Sequence, residues 1–329
     1  MGEKKEAMMY KKKRILMVLL TAVLIVSLFG FSTGTLAKDK DITIGFSVPG
    51  LAFTWFVFTK DVALDEAKKL GVKVVVYDGL NDVSKQTSDI EDMIVKGVDG
   101  VLISPINVKA LIPGLEKLDK DGIPCATFDR RIEGAPFLVH VGADNVEGGR
   151  IAAVYTIGRL NGKGKIIELQ GTPGSSPAID RGGGFHEIVK DFPQMPIVFS
   201  QTGQFVRETG MSVMENAITA HPDFDAVWAH NDDMMMGAVE AIESAGYNLG
   251  DVILVSFDAI PDTLEAIQEG RIDATIEQHP GNQVREAMRY LVNYIRTGEK
   301  PPKHEIYVLP TLVTEANLEM AEKYGEIKK

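Results

Sequence analysis

One phrase repeats along this chain. A helical segment closes on glycine, a short apolar run follows, and the run stops at polar side chains. Gly71-Val-Lys-Val-Val-Val76, Gly97-Val-Asp-Gly-Val-Leu102 and Gly122-Ile-Pro-Cys-Ala-Thr127 all carry it. Glycine just past a helix end relieves the left-handed backbone that closes the last turn. A short apolar run bounded by turn residues reads as a strand buried on both faces. Strands of that kind alternating with helices imply mainly parallel sheets, because parallel neighbours need a long crossover between them.

The pattern predicts strands over Ile42–Ser47, Val72–Tyr77, Gly100–Ser104, Pro124–Phe128 and Leu138–Gly142. A second series covers Lys165–Leu169, Ile197–Gln201, Ala226–His230, Ile253–Phe257 and Ala274–Glu277. Between strands the spacing turns helical; in Thr87–Lys96, Ile90, Met93 and Ile94 share one face. The two series match in length and order, so the chain reads as two similar α/β lobes and not one ten-stranded sheet. The break falls near Ala143-Asp144-Asn145, where Asp144 or Asn145 caps a helix running through Leu160. A further helix is expected between Gly281 and Gly298, then a short strand over Tyr307–Leu309 after the break at Pro301-Pro302.

The first segment has another character. Lys11-Lys-Lys-Arg14 precedes seventeen uncharged residues, Ile15 to Phe31, and then Thr35-Leu-Ala37. A basic start, an apolar centre and a small-x-Ala site describe a signal peptide, residues 1–37, cleaved after Ala37. The alternative is an uncleaved anchor, since seventeen apolar residues reach the short end of the spanning range. Without that leader, which holds six basic and two acidic residues, the body carries a formal charge of −15. An acidic body argues against nucleic acid and anionic membranes as partners. The lone Cys125 lies inside a predicted strand and is expected to serve as a small core hydrophobe.

Parallel α/β sheets collect ligands outside the carboxyl ends of their strands. Here those ends carry Asp129-Arg130, His230-Asn231-Asp232, Asp258 and Glu277-Gln278. A carboxylate accepts from adjacent hydroxyls and a guanidinium donates in a rigid fork, so Asp129-Arg130 suits a neutral polyol. An ion pair closing the loop is the simpler alternative. The simpler alternative for Asn231, Asp258 and Gln278 is a cap on a following helix, and for Arg181, next to Asp180, a surface salt bridge. Phe53, Trp55 and Phe56 cluster in the first strand–helix loop and Phe205 lies in a loop of the second series. Aromatic faces pack on the apolar C–H faces of sugar rings. The sequence holds no G-x-S-x-G, P-loop, H-E-x-x-H or C-x-x-C, and its histidines lack metal-ligand spacing, so no catalytic residue, metal or cofactor is expected.

These residues resemble the periplasmic monosaccharide-binding proteins of the ribose-binding type, the solute receptors of ABC sugar importers. The resemblance spans residues 41 to about 315. It rests on Phe128-Asp-Arg130, Ala143-Asp-Asn-Val-Glu-Gly-Gly149, Glu168-Leu-Gln-Gly171, Asp180-Arg-Gly-Gly-Gly-Phe185, His230-Asn-Asp232, Ser256-Phe-Asp258 and Ala274-Thr-Ile-Glu-Gln278. It implies a type I periplasmic binding protein fold: two Rossmann-like lobes joined by a three-segment hinge near 143, 278 and 306. The N-terminal lobe would take residues 41–143 and 279–306, and the C-terminal lobe 144–278 and 307–329. Asp129 and Arg130 would bind hydroxyls from one lobe and Arg181, Asn231 and Asp258 from the other, with Gln278 at the hinge and Trp55, Phe56 and Phe205 about the ring. The implied role is an exported, monomeric receptor, periplasmic or otherwise extracytoplasmic, that hands a pentose or hexose to an ABC permease. A sensor that presents its closed form to a membrane receptor needs the same pocket. One departure concerns the first loop. Ribose binders place Asn-Pro-aromatic-aromatic there, whereas this chain has Pro49-Gly-Leu-Ala-Phe-Thr-Trp-Phe56, with Phe53 at the asparagine position. Gly171-Thr-Pro-Gly-Ser-Ser-Pro-Ala-Ile-Asp180 and His230-Asn-Asp-Asp233 resemble the galactofuranose-binding branch instead.

Overall fold

The computed structural model describes residues 41–323, together with residues 2, 8 and 9. The expected signal peptide, residues 1–37, lies outside them but for those three positions. Ile42–Lys329 belong to one compact unit. Among the described residues no helix is long and apolar enough to cross a membrane.

The first sheet is built from β1 (Thr43–Val48), β2 (Lys73–Asp78), β3 (Gly100–Ile103), β4 (Cys125–Phe128) and β5 (Val139–Ala143). Helices α1 (Thr54–Leu70), α2 (Val83–Lys96) and α3 (Ile112–Lys120) connect the first four. The second sheet takes β6 (Ile166–Gln170), β7 (Ile197–Thr202), β8 (Ala226–Ala229), β9 (Ile253–Phe257) and β10 (Ala274–Glu277). Helix α4 (Asn145–Leu160) leads into it, and α5 (Ser176–Val189), α6 (Arg207–Ala220), α7 (Asp232–Ser244) and α8 (Pro261–Gln268) connect its strands. Helix α9 (Pro280–Thr297), β11 (Glu305–Val308) and β12 (Thr311–Val313) complete the chain.

The two sheets run β11-β5-β4-β3-β1-β2 and β12-β10-β9-β8-β6-β7, so each repeats one doubly wound order. The first is parallel throughout, while the second carries β12 as an antiparallel edge on β10. β3, β4, β5, β8 and β10 are buried along their whole length, as strands covered on both faces are. Asp144, not Asn145, caps α4 by accepting from Glu147 N at 3.0 Å. Gly71, Gly97 and Gly122 take positive φ after α1, α2 and α3.

The chain changes sheet after β5, after β10 and after β11. The third change corrects the expected boundary at 306 and the expected strand over Tyr307–Leu309. β11 begins at Glu305 and pairs in parallel with β5 as far as Val308↔Ala143, so residues 307 and 308 belong with the N-terminal sheet. β12, absent from the predicted strands, is the first element beyond the change. It is three residues long, too short to show a period.

Helices α4 and α5 touch backbone to backbone. A Cβ at Gly149 would lie 2.2 Å from Arg181 O, and one at Gly184 2.0 Å from Val146 O. Glycine lets α4 and α5 meet that closely, which brings Arg181 against the sheet. Cys125 is a buried free thiol in β4, its pKa pushed up to about 12 by burial.

Candidate functional site

The two sheets point their carboxyl ends at a shared cavity lined by residues of both lobes. Every residue singled out from the sequence lines it: Phe53, Trp55 and Phe56 at the start of α1, Asp129 and Arg130 after β4, Arg181 in α5, Phe205 before α6, Asn231 after β8, Asp258 after β9 and Gln278 after β10. Pro177 and Asp233 line it too. Both sit inside segments that resemble the galactofuranose branch, yet no residue-level argument picked them out.

Backbone strain marks the ring of strand ends. Asp129, Phe205, Asp258 and Ala259 take φ of 57°, 65°, 119° and 52°, positions that side chains disfavour and that persist where neighbours over-determine them. Asp258 N donates to Ile276 O at 2.9 Å, Ala259 N to Thr275 Oγ1 at 3.2 Å and Ile260 N to Asp232 Oδ2 at 2.8 Å. Asp232 also accepts from Ser256 Oγ and Thr275 Oγ1, and burial raises its pKa to about 7. It is therefore the carboxylate that holds the loop, not one that lines the cavity.

From the N-terminal lobe, Asp129 accepts from Ser104 Oγ at 2.8 Å and lies 3.8 Å from Arg130 Nε. The loop that carries Ser104 hangs on buried Gln86, which donates to Ser104 O at 2.9 Å and accepts from Ile106 N at 2.9 Å. Gln86 escaped the sequence reading because a helical glutamine ordinarily faces water. The Arg130 guanidinium sits 5.5 Å from the ring centres of both Phe56 and Phe205, bridging aromatic groups of opposite lobes. Its ion pair with Asp129 is thus only part of its role.

From the C-terminal lobe, Arg181 corrects the surface salt-bridge alternative. It is buried, donates to Asn145 Oδ1 at 2.8 Å and His230 O at 2.6 Å, and lies 3.4 Å from Asp258. Its guanidinium carbon stacks 3.7 Å from the Phe257 ring centre. The neighbouring Asp180 instead pairs across the lobes with Arg131. Asn231 does cap α7, accepting from Met234 N at 3.0 Å, and its amide donates to Phe205 O at 3.2 Å. Asp258 and Gln278 cap nothing; Gln278 Nε2 donates to Asp258 Oδ1 at 2.5 Å. His230 holds the site from behind. Its Nδ1 accepts from Gly171 N at 3.3 Å, leaving Nε2–H for Glu168, which His186 also meets at 2.9 Å.

The buried charges balance. Asp129 and Asp258 face Arg130 and Arg181. Burial raises both carboxylates, against the guanidinium groups beside them, and lowers Arg130 to about 10. A cavity so balanced suits an uncharged ligand rich in hydroxyls. Trp55 Nε1 and Arg130 Nε, both buried in lining residues, have no hydrogen-bond partner among the described residues. Buried donors ordinarily find acceptors. Among the described residues no group of three or more His, Cys, Asp or Glu is placed to hold a metal ion.

Comparison with known proteins agrees with this geometry. The model of the periplasmic binding protein domain matches residues 44–300. The ribose import binding protein of Bacillus subtilis is 42% identical over 243 residues, 74% of this chain and 78% of that protein. The galactofuranose-binding protein of Escherichia coli is 34% identical over 289 residues, 85% of this chain and 91% of that protein. Among solved structures, the Caulobacter myo-inositol binding protein bound to myo-inositol superposes with a TM-score of 0.84 at 36% identity, covering 89% of this chain and 100% of that one.

Proposed function

Because the chain belongs to the family of periplasmic binding proteins, we propose that it captures one neutral monosaccharide, a pentose or a hexose, between its lobes and delivers it to an ABC importer in the cytoplasmic membrane. It does this outside the cytoplasm, as a monomer, and performs no chemistry on the sugar. The relatives named for ribose and galactofuranose support the ligand class.

One observation carries the reading. A charge-balanced set of buried carboxylates and guanidinium groups surrounds a space walled by aromatic groups of both lobes. Asp129 and Asp258 accept from sugar hydroxyls, Arg130 and Arg181 donate to them, Asn231 and Gln278 donate or accept in the ring plane, and Phe56 and Phe205 cover its faces. Trp55 and Arg130 supply the buried donors left over. Closure brings these groups together, and a ligand that bridges the lobes stabilises the closed form.

Fluorescence tests this directly. The chain has two tryptophans, and Trp228 is buried in the second lobe, stacked on Phe185 at 5.3 Å, so Trp55 reports the cavity. Emission is expected to change saturably with one member of a panel of aldoses, ketoses and cyclitols. Asp258→Ala removes a hydroxyl acceptor and leaves Gln278 Nε2 without its partner, and is expected to weaken that binding about thirtyfold or more, with an unchanged circular dichroism spectrum. A flat response across the panel, or full affinity in Asp258→Ala, overturns the assignment.

A further inference from the structure

The cavity is not closed at every wall. Phe53, Phe205 and Asp233 line it and also line a second, outer chamber of about 630 Å³. The chamber lies between the lobes, at the carboxyl ends of β2 and β7. These three shared residues stand at the boundary between the two spaces, the mouth of the inner cavity on the chamber side.

At that mouth stands a second carboxylate–guanidinium pair. Asp233 Oδ1 lies 3.4 Å from Arg207 Nη2, and the same nitrogen donates to Asp262 at 2.7 Å. Arg207 is the hydrogen-bond donor Asp233 has among the described residues, at the long end of the range, so most of the acceptor capacity of a carboxylate remains. The side chain is only 14% exposed. It is already positioned: Asp233 lies in the first turn of α7, which Asn231 caps, and Arg207 opens α6 directly after the strained Gln204-Phe205 turn. Inside the cavity, Asp129 with Arg130 offers an acceptor and a fork of donors to ring hydroxyls. Asp233 with Arg207 repeats that chemistry just outside the aromatic wall, where a substituent on the ring would emerge.

We propose that the Asp233–Arg207 pair is a subsite for an exocyclic hydroxylated arm, and that the preferred ligand is a sugar carrying one, such as a hexose, over the same ring without it. The inference rests on the monosaccharide reading above and narrows it. Asp233 accepts from the arm's hydroxyl, and Arg207, drawn between Asp233 and Asp262, donates to the same oxygen or its neighbour.

Calorimetric titration with matched sugars tests it. D-Allose and D-ribose, D-galactose and L-arabinose, and D-glucose and D-xylose each share a pyranose ring and differ by the exocyclic carbon. The native protein is expected to favour the six-carbon member of at least one pair by about tenfold or more, the range a hydrogen-bonded polar group supplies. Asp233→Ala and Arg207→Gln are expected to cut that preference to about threefold or less. Should Asp233→Ala fail to fold, Asp233→Asn serves the same comparison. Preference for the five-carbon member in every pair that binds overturns the subsite while leaving the monosaccharide reading intact. So does an equal loss for both members in the variants. Binding of none of the six sugars, with a ligand found in the wider fluorescence panel, overturns the subsite alone; no ligand in either set removes the sugar reading and the subsite together.

Discussion

Phe205 shows how much of this site depends on single atoms. Its ring lies where a side chain on Gly171 would stand: a Cβ there would come within 2.0 Å of Phe205 Cζ. Glycine at 171 therefore seats the ring, while Asn231 fixes the Phe205 carbonyl and the residue itself accepts a φ of 65°. Gly171→Ala is expected to displace the ring, costing about 1–3 kcal/mol of stability through overpacking and lowering sugar affinity about tenfold or more. Urea denaturation and titration of the same preparation measure the two effects. Retention of full affinity would show that the ring does not cover the ligand. Phe205 was recognisable in the sequence as an aromatic in a loop of the right lobe, but its dependence on Gly171 was not. The two are 34 positions apart, on different loops, and only the β6–β7 pairing brings them together.

At the scale of the element, β5 carries an ionisable group into a layer with no water. His140 is 2% exposed, its Nδ1 is 2.9 Å from Thr127 Oγ1 on β4, and its ring lies edge-on to Tyr307 of β11. Burial lowers its pKa to about 3, with the charges of Arg131 and His304 adding to the effect. The folded-state value lies below the unfolded value of about 6.5, so the unfolded chain takes up the proton first. Stability is therefore fully present above about pH 6.5 and is lost as pH falls towards about 3, on the order of 5 kcal/mol in all. His186 has the opposite sign. Its bond to Glu168 raises its pKa, so its contribution is present below the unfolded value and fades as pH rises through the folded one. Denaturation midpoints measured between pH 7.5 and 4 are expected to fall less steeply for His140→Gln than for the native chain. Parallel profiles would show that His140 takes up no extra proton on unfolding. The alternation of β5 with its neighbours was plain from sequence. That its histidine faces a covered layer follows only from β11 arriving from 160 residues away to pair with it.

For the whole molecule, the question is what holds the lobes together besides a ligand. Contacts cross between them away from the cavity, among them a set that joins the loop after β4 and the loop after β3 to the start of α5. Arg131 forms an ion pair with Asp180, Arg131 N donates to Ser176 Oγ at 3.0 Å, and Val108 N donates to Gly174 O at 3.0 Å. Arg131 is 24% exposed and Asp180 14%, so the pair is only partly screened, and such a pair contributes on the order of 1 kcal/mol. Since closure and binding share one equilibrium, Arg131→Ala is expected to lower sugar affinity about threefold to tenfold, through faster release. Stopped-flow release of bound sugar measures it. An unchanged release rate would mean that the pair is absent from the equilibrium that governs binding.

The parallel α/β class, the doubling into two lobes and the polar strand ends were all determined by sequence alone. They rest on local physics: glycine closes a helix, a strand covered on both faces needs an unbroken apolar run, and the residues after such a strand must be polar. Ten of the twelve lining residues were likewise identifiable, by residue type and by resemblance. The tertiary structure alone decided the rest. It set the third change of sheet beyond Val308, because β11 takes its register from β5. It showed that Arg181 is buried against Phe257, because α4 and α5 meet through paired glycines. It joined Asp233 and Arg207 at the mouth of the cavity. Each of these is a juxtaposition of segments far apart in the chain, and no local pattern encodes the distance between them.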